Sequence, residues 1–414
     1  MPTAIVTGAT GIQGREIVLE LAKDRQQWPT VHALSRSKKE RYPETVLHHH
    51  IDLMSSPDEM ANDLKDVQGS HVFFAAYMQK DTEKENWDVN GAILSNFLQA
   101  LVKTGAIQSV ERIILLTGAK QYGVHLGVPK QPMLESDPWL TDSKWPPNFY
   151  YNQQNILHSF CKEHNKDWTV TYPNDVIGYA VDNYMNLATA IALYAVVSKE
   201  LDPNSEGLVF PGSPAFYTKF DCFTSAKLHA QFCAWAALEP STANEAFNVV
   251  NGDVESWQNL WPKVANYFGS NVKSNQFKSG ASSSLLKYVA GDASSTSKLA
   301  PEPPITVQSS TSGLDGTSVL AQSVVEQHID LEKWSQRQDV KDAWCRIAER
   351  EGLEEDAFEK VTWGFLGFAL GRNYDLIISM SKARKAGWTG YVDTWESLAD
   401  VFDQLRKARI LPKA

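Results

Sequence analysis

A lysine and a tyrosine carry the chemistry this sequence could perform. Lys120 closes the run Thr117-Gly118-Ala119-Lys120, directly after the apolar stretch Arg112 to Leu116. Tyr150 stands in Asn148-Phe149-Tyr150-Tyr151, which leads into a helical pattern reaching about Lys162. A phenol can donate a hydrogen bond to an oxygen on which negative charge develops. An ammonium nearby adds positive charge, lowers the phenol's pKa, or holds a cofactor ribose. Together they suit a reaction in which negative charge grows on a substrate oxygen. The plainer alternatives are a solvated loop lysine and a helix-capping aromatic. The catalytic reading is preferred because both residues fall where a parallel sheet binds its ligands, outside the carboxyl ends of the strands.

Such residues need a frame, and the first twenty or so positions supply it. Ala4-Ile5-Val6 is a short apolar run, and Ile17, Val18, Leu19, Leu21 and Ala22 recur at helical spacing. Between them lies Thr7-Gly8-Ala9-Thr10-Gly11-Ile12-Gln13-Gly14. Gly8 allows the tight turn, Gly11 lets the backbone approach a pyrophosphate, and Gly14 lets the helix pack close to the sheet. The helix N-terminus adds unpaired N–H groups. The second strand, Thr30 to Leu34, ends in Ser35-Arg36-Ser37-Lys38 without the acid that would bind a ribose 2′-hydroxyl. Arg36 can instead pair with a 2′-phosphate, aided by its neighbours, so the expected cofactor is NADP(H). Candidate cofactor contacts are therefore Thr7, Gly8, Thr10, Gly11, Ile12, Gly14, Ser35, Arg36, Ser37, Asp52 and Leu53. Further along come Ala75, Ala76, Tyr77, Thr117, Lys120, Tyr150, Pro173, Val176 and Ile177.

Strands and helices alternate through the first part of the chain. The expected strands are Val46 to Leu53, Val72 to Ala76, Arg112 to Leu116 and Trp168 to Tyr172, with a helix from about Trp87 to Val102. This predicts an α/β fold: a Rossmann-type doubly wound parallel sheet with a smaller, mostly helical C-terminal substrate lobe. Residues 1–180 form the dinucleotide domain, to which about 215–250 return, and 181–414 are mainly lobe. Expected lobe helices are Tyr184 to Val197, Ser256 to Phe268, Trp334 to Glu351, Phe358 to Tyr374 and Thr394 to Ala408. Residues 274–318 or so are rich in Ser and Pro, including Ser282-Ser283-Ser284, and read as a flexible surface insertion.

A net charge of -10 argues against nucleic-acid binding. Cys161, Cys222, Cys233 and Cys345 show neither disulfide nor zinc spacing and read as buried thiols. The run His48-His49-His50 points to alternating faces of a strand, so no metal is expected. The most apolar stretch, Tyr184 to Val197, is too short for a bilayer. With strand one at the very start and no visible targeting signal, a cytoplasmic protein is expected.

Ordinary short-chain dehydrogenases carry YxxxK, but the residues four after Tyr150 and Tyr151 are Gln154 and Asn155. With a lysine in TGxKxY and a tyrosine in NFYY, the chain resembles the progesterone 5β-reductase and iridoid synthase-like family. These are atypical extended short-chain dehydrogenases that reduce activated carbon–carbon double bonds. The likeness continues through Asp175-Val176-Ile177-Gly178, Met185-Asn186-Leu187, Glu245 to Val254, Ser379-Met380-Ser381-Lys382 and Gly387-Trp388. It implies Lys120 and Tyr150 as the catalytic pair. Two departures bear on the substrate: Tyr172-Pro173 stands for the usual Arg-Pro, and Gly123-Val124-His125-Leu126-Gly127 for Gly-Pro-Phe. The expected function is NADPH-dependent reduction of enones or enals, on a small apolar substrate. A carbonyl reductase is one alternative. An NADPH-holding sensor like the NmrA-like regulators is another, although a sensor needs neither Lys120 nor Tyr150. A homodimer is left open.

Overall fold

The strand residues dictate where the sheet lies. β1 (Thr3–Thr7), β2 (Thr30–Ser35), β4 (His71–Phe74) and β5 (Arg112–Leu116) are buried almost throughout, as strands covered on both faces must be. In the computed structural model, which describes residues 1–37, 40–183, 185–203, 207–277 and 294–413, they join β3 (Val46–His50) and β6 (Asp167–Pro173). β7 (Val176–Ile177) and β8 (Thr224–Ser225) form a separate small pair. β9 (Glu245–Val249) completes a seven-stranded parallel sheet in the order β3-β2-β1-β4-β5-β6-β9. Strand order reverses beside β1, which opens a crevice at the carboxyl ends of β1 and β4.

The helices α1 (Ile12–Leu21), α2 (Pro57–Asp63), α3 (Glu83–Lys103) and α4 (Phe149–His164) belong to this sheet. After α5 (Leu187–Leu201) comes α6 (Ala226–Leu238), whose Ala230, Cys233 and Ala237 share a core with Ile17, Val18 and Leu21 of α1. α5 and α7 (Trp257–Tyr267) build a second core, in which Trp257, Leu260, Trp261 and Val264 are fully buried. Leu370 belongs to that core and Phe365 packs against it.

Several boundaries differ from the sequence reading. The third strand stops at His50, because Asp52 opens a turn by accepting the Met54 N–H at 2.9 Å. Ala75 and Ala76 lie beyond β4. The helix expected from Trp87 starts at Glu83, fixed by a capping box between Thr82 and Glu85. The helix expected from Tyr184 begins at Leu187 with Asn186 as its cap; Tyr184 itself is outside the described residues. The stretch Trp334 to Glu351 divides into Leu331–Gln336 and Gln338–Glu351 around an extended Arg337. Phe358 to Tyr374 likewise divides into Ala357–Lys360 and Trp363–Gly371. Cys345 is exposed, on the outer face of its helix, while the other three cysteines are buried.

Ser282-Ser283-Ser284 falls outside the described residues, but the chain from 294 onward is described. There β10 (Ser295–Lys298) pairs antiparallel with β11 (Val324–Gln327). Pro304 and Ile305 are buried, and the Ile305 and Ala300 N–H groups donate to the carbonyls of Val128 and Leu126. This segment lies on the loop that follows Tyr122.

One buried ion cluster ties the last part of the chain to the sheet. Arg372 is 2 % exposed, pairs with Asp175, and lies 3.7 Å from Asp221. Burial pushes the Asp221 carboxyl well above the usual range, and the guanidinium pulls it back. Asp175 sits at φ 35°, a left-handed conformation that a non-glycine residue holds only when its surroundings fix it.

Candidate active site

The glycine turn is built of main chain. Gly8 has φ +63°, and a Cβ there would come 2.7 Å from the Ala75 carbonyl. A Cβ on Gly14 would come 2.3 Å from the Gly8 carbonyl. Gly11 caps α1 in an extended conformation with no side-chain hydrogen bond, leaving the first N–H groups of the helix for a ligand. Above the turn opens a cleft of about 470 Å³, lined by Gly8, Thr10, Gly11, Ile12, Ser35, Arg36, Asp52, Leu53, Ala75, Ala76, Tyr77 and Val176. A glycine cradle that side chains would fill, an uncapped helix start and a cleft of this size fit a nicotinamide dinucleotide.

Arg36 is exposed at the rim. The Ser35 hydroxyl is already engaged: it donates to the Ser37 carbonyl at 2.6 Å and lies 2.7 Å from His48 Nε2. Other expected contacts stand behind the cleft. Thr7 and Ile177 are buried, Gly14 backs the turn, and the Thr117 hydroxyl donates to the Thr171 carbonyl at 2.9 Å. Pro173 ends β6 opposite Val249. Lys38 lies outside the described residues. The sequence reading missed Gln13, Met78, Gln79, Asn183 and Met185, which also line the cleft. Met78 and Gln79 simply continue the loop beyond Tyr77, so counting on from the strand end would have found them. Asn183 and Met185 carry no local signal.

At the other end of the site stand two adjacent tyrosines with different surroundings. Asn148 caps α4 through the Tyr150 N–H, and its amide donates to the Lys120 carbonyl at 2.7 Å, which joins the helix start to the loop after β5. The Tyr151 hydroxyl donates to the Gln121 carbonyl at 2.7 Å and accepts the Leu140 N–H at 3.0 Å. Its ring stacks on Trp139 at 4.7 Å. The Tyr150 hydroxyl makes no hydrogen bond among the described residues. It lies over Gly118, where an added Cβ would come within 3.0 Å of it. Burial, then Tyr77, then Glu83 push the Tyr150 phenol well above the usual tyrosine range, so it is protonated at neutral pH.

Lys120 Nζ lies 3.1 Å from Glu83 Oε1 at the start of α3, and 6.0 Å from the centre of the Phe149 ring. Tyr77 stacks on the same ring at 5.3 Å, so Tyr77, Phe149, Tyr150, Lys120 and Glu83 form one group. Gln154, where ordinary relatives carry lysine, is 1 % exposed. It donates to Gln121 Oε1 at 2.8 Å and accepts the Tyr172 hydroxyl at 2.7 Å. A neutral network fills the place of that lysine.

Comparison with known proteins bears on this arrangement. A family profile described as a PRISE-like Rossmann-fold domain matches residues 4–296. An uncharacterised protein of Schizosaccharomyces pombe is 41 % identical, over 99 % of this chain and 98 % of its own. An (S)-8-oxocitronellyl enol synthase of Nepeta racemosa is 28 % identical, over 99 % and 93 %. A 3-oxo-Δ4,5-steroid 5β-reductase of Arabidopsis thaliana is 26 % identical, over 99 % and 93 %. Among solved structures, the Bordetella bronchiseptica enzyme WbmG in complex with NAD and UDP has the same fold, with a TM-score of 0.56 at 13 % identity, covering 99 % of this chain and 96 % of that one.

Proposed function

The chain belongs to the PRISE-like Rossmann-fold family, and we propose that it is an NADPH-dependent oxidoreductase that reduces the activated double bond of a small, apolar enone or enal. The observation that carries this reading is the free, protonated Tyr150 hydroxyl over Gly118, with the Lys120 ammonium on the adjoining loop. When bound, the dinucleotide supplies a hydride from its nicotinamide. Tyr150 donates a hydrogen bond to the substrate carbonyl, and that bond strengthens as the oxygen takes on enolate charge. Lys120 supports the same charge. The α-carbon then takes a proton from water, which balances the reduction.

Two named relatives support this substrate class. A 3-oxo-Δ4,5-steroid holds its double bond in conjugation with a ketone, and an enol is what hydride addition to the β-carbon of an enal leaves. Arg36 at the rim, with no acid at the end of β2, favours the 2′-phosphate of NADPH. Residues 1–180 together with about 215–250 hold the cofactor, and the rest of the chain shapes the substrate side. Among the described residues no helix is long and apolar enough to cross a membrane. The exposed thiol of Cys345 suits a reducing cytoplasm.

The test is NADPH consumption with a panel of enones, enals, ketones and simple aldehydes, with product structures. Saturated carbonyl products from enones are expected. Alcohols formed from ketones alone would make it a carbonyl reductase. Tight NADPH binding without turnover on any of them would make it a cofactor-holding protein.

A further inference from the structure

One polar side chain of the cleft has its direction set from inside the molecule. Gln13 is the second residue of α1, half-buried, and lines the cleft. Its Nε2 lies 2.7 Å from Nδ1 of His229 on α6, and His229 Nε2 lies 2.9 Å from the Thr171 hydroxyl on β6. His229 and Thr171 are both 0 % exposed. The Thr171 carbonyl in turn accepts the N–H and the hydroxyl of Thr117, at 3.1 and 2.9 Å. A polar chain thus runs from the cleft through the core to the end of β5.

The protons in this chain can be counted. An amide nitrogen only donates, so His229 Nδ1 accepts. Burial pulls the imidazole pKa down to about 3, so the ring carries a single proton at neutral pH. That proton stands on Nε2 and goes to the Thr171 oxygen. The Gln13 carbonyl oxygen has no hydrogen-bond partner among the described residues. Unlike the Thr7 hydroxyl, it is not sealed from solvent.

We propose that His229 is a positioning residue for the cofactor: by holding the amide nitrogen of Gln13, it keeps the Gln13 oxygen toward the cleft as an acceptor for a neutral donor on the nicotinamide half of the dinucleotide, a ribose hydroxyl or the carboxamide N–H. The inference rests on the dinucleotide reading of the cleft given above.

The topology chooses that half. The sheet order puts β2, with Arg36 just past its end, on one side of β1, and puts β6 on the other, beyond β4 and β5. Gln13 is tied to the β6 side. Its neighbour Ile12 reaches the same way: a Cβ on Gly178, which follows Val176 and Ile177, would come 2.5 Å from Ile12 Cγ2. With the 2′-phosphate at Arg36, the nicotinamide half falls here. A carbonyl oxygen also repels phosphate oxygens and accepts from O–H and N–H groups, so it does not suit the pyrophosphate.

The experiment measures NADP+ binding to the full chain by calorimetry, beside 2′,5′-ADP, which carries the phosphorylated adenosine without the nicotinamide half. Gln13→Met keeps the length and removes the amide. It should weaken NADP+ binding about three- to tenfold, the size of one hydrogen bond, and leave 2′,5′-ADP unchanged. His229→Phe should weaken NADP+ by no more than that, again sparing 2′,5′-ADP, and should add nothing in a Gln13→Met background. The nicotinic-acid analogue of NADP+ has no carboxamide N–H: an equal loss with it assigns the ribose hydroxyl, and a loss confined to NADP+ assigns the carboxamide. Should His229→Phe fold poorly, nitrogen-15 NMR still reads the chain. The wild type should show an imidazole with Nε2 protonated and Nδ1 bare, and the Nδ1 signal should shift in Gln13→Met. A proton on Nδ1 would overturn the proposal, because Gln13 would then turn its oxygen inward. Equal NADP+ affinity in wild type and Gln13→Met would overturn it too, as would an equal loss of 2′,5′-ADP, the mark of a merely structural role. A wild type that binds no NADP+ would sink the dinucleotide reading itself. Tight wild-type binding with unmoved variants would sink only the roles of His229 and Gln13.

Discussion

The glycine turn is built of main-chain atoms; the group around Tyr150 is built of side chains, joined to the cleft lining through Tyr77. The first end is shaped by what is missing, since Gly8 and Gly14 leave room that any Cβ would fill. The second is shaped by what is bonded: Tyr151 is held on both sides of its hydroxyl, Gln154 is locked between Gln121 and Tyr172, and the Tyr150 hydroxyl has no hydrogen-bond partner among the described residues. The backbone-made end should fail when an atom is added. The side-chain end should fail when one particular atom is removed, and its neighbour's loss should cost stability instead of turnover.

The largest effect should come from Tyr150→Phe. It takes away one hydroxyl and keeps the ring, so melting temperature and cofactor affinity should stay near wild type. Turnover on an enone should drop by about 10²–10³, as for loss of a single oxyanion donor. Unchanged steady-state kcat would erase the distinction between the two ends. Next comes Gly14→Ala, where a Cβ 2.3 Å from the Gly8 carbonyl forces the turn to move. Overpacking of this kind costs about 1–3 kcal/mol, and both the thermal midpoint and dinucleotide affinity should fall. Calorimetric binding equal to wild type would mean the turn is not the cradle.

Arg36→Ala should be narrower in its effect. It should remove most of an NADPH preference worth about 1.5–3 kcal/mol, or roughly tenfold or more, while NADH affinity stays put. Equal dissociation constants for the two cofactors in the wild type would dismiss Arg36 as the phosphate partner. The smallest effect on turnover belongs to Tyr151→Phe. Leaving the Gln121 carbonyl and Leu140 N–H without their partner should cost about 1–3 kcal/mol of folding stability, read from denaturant midpoints. A dead but fully stable Tyr151→Phe enzyme, beside an active Tyr150→Phe, would exchange the roles of the pair.

The same contrast explains what the sequence could disclose. The turn was legible because its requirement is local: three glycines between a strand and a helix need no distant partner. The pair Lys120 and Tyr150 was legible through spacing and family likeness. Glu83 was not, because the reading followed apolar periodicity, which starts near Trp87. The string Thr82-Glu83-Lys84-Glu85 held a capping-box signal that would have moved the helix start back to Glu83. The fixing of Tyr151 depends on Leu140 and Gln121, which lie on a loop no periodicity describes. Composition also hid the packing of Pro304 and Ile305: a segment too polar to fold by itself can still place its few apolar residues on another loop.

The family profile ends at residue 296, but the dinucleotide half does not become independent there. Arg372 comes long after that point and neutralises Asp175 and Asp221, and the Leu376 N–H donates to the Phe220 carbonyl. A gene cut at the edge of the recognised domain would leave the buried Asp221 and the partly covered Asp175 without their cation, a loss of about 3–5 kcal/mol of the kind that follows when one partner of a buried pair is removed. Asp175 belongs to the loop that leads from β6 to Val176, a wall of the cleft. For this chain, the boundary of a sequence profile is therefore a poor guide to where expression of a shorter fragment could stop, and late truncations should act on the cofactor cleft as directly as changes inside it.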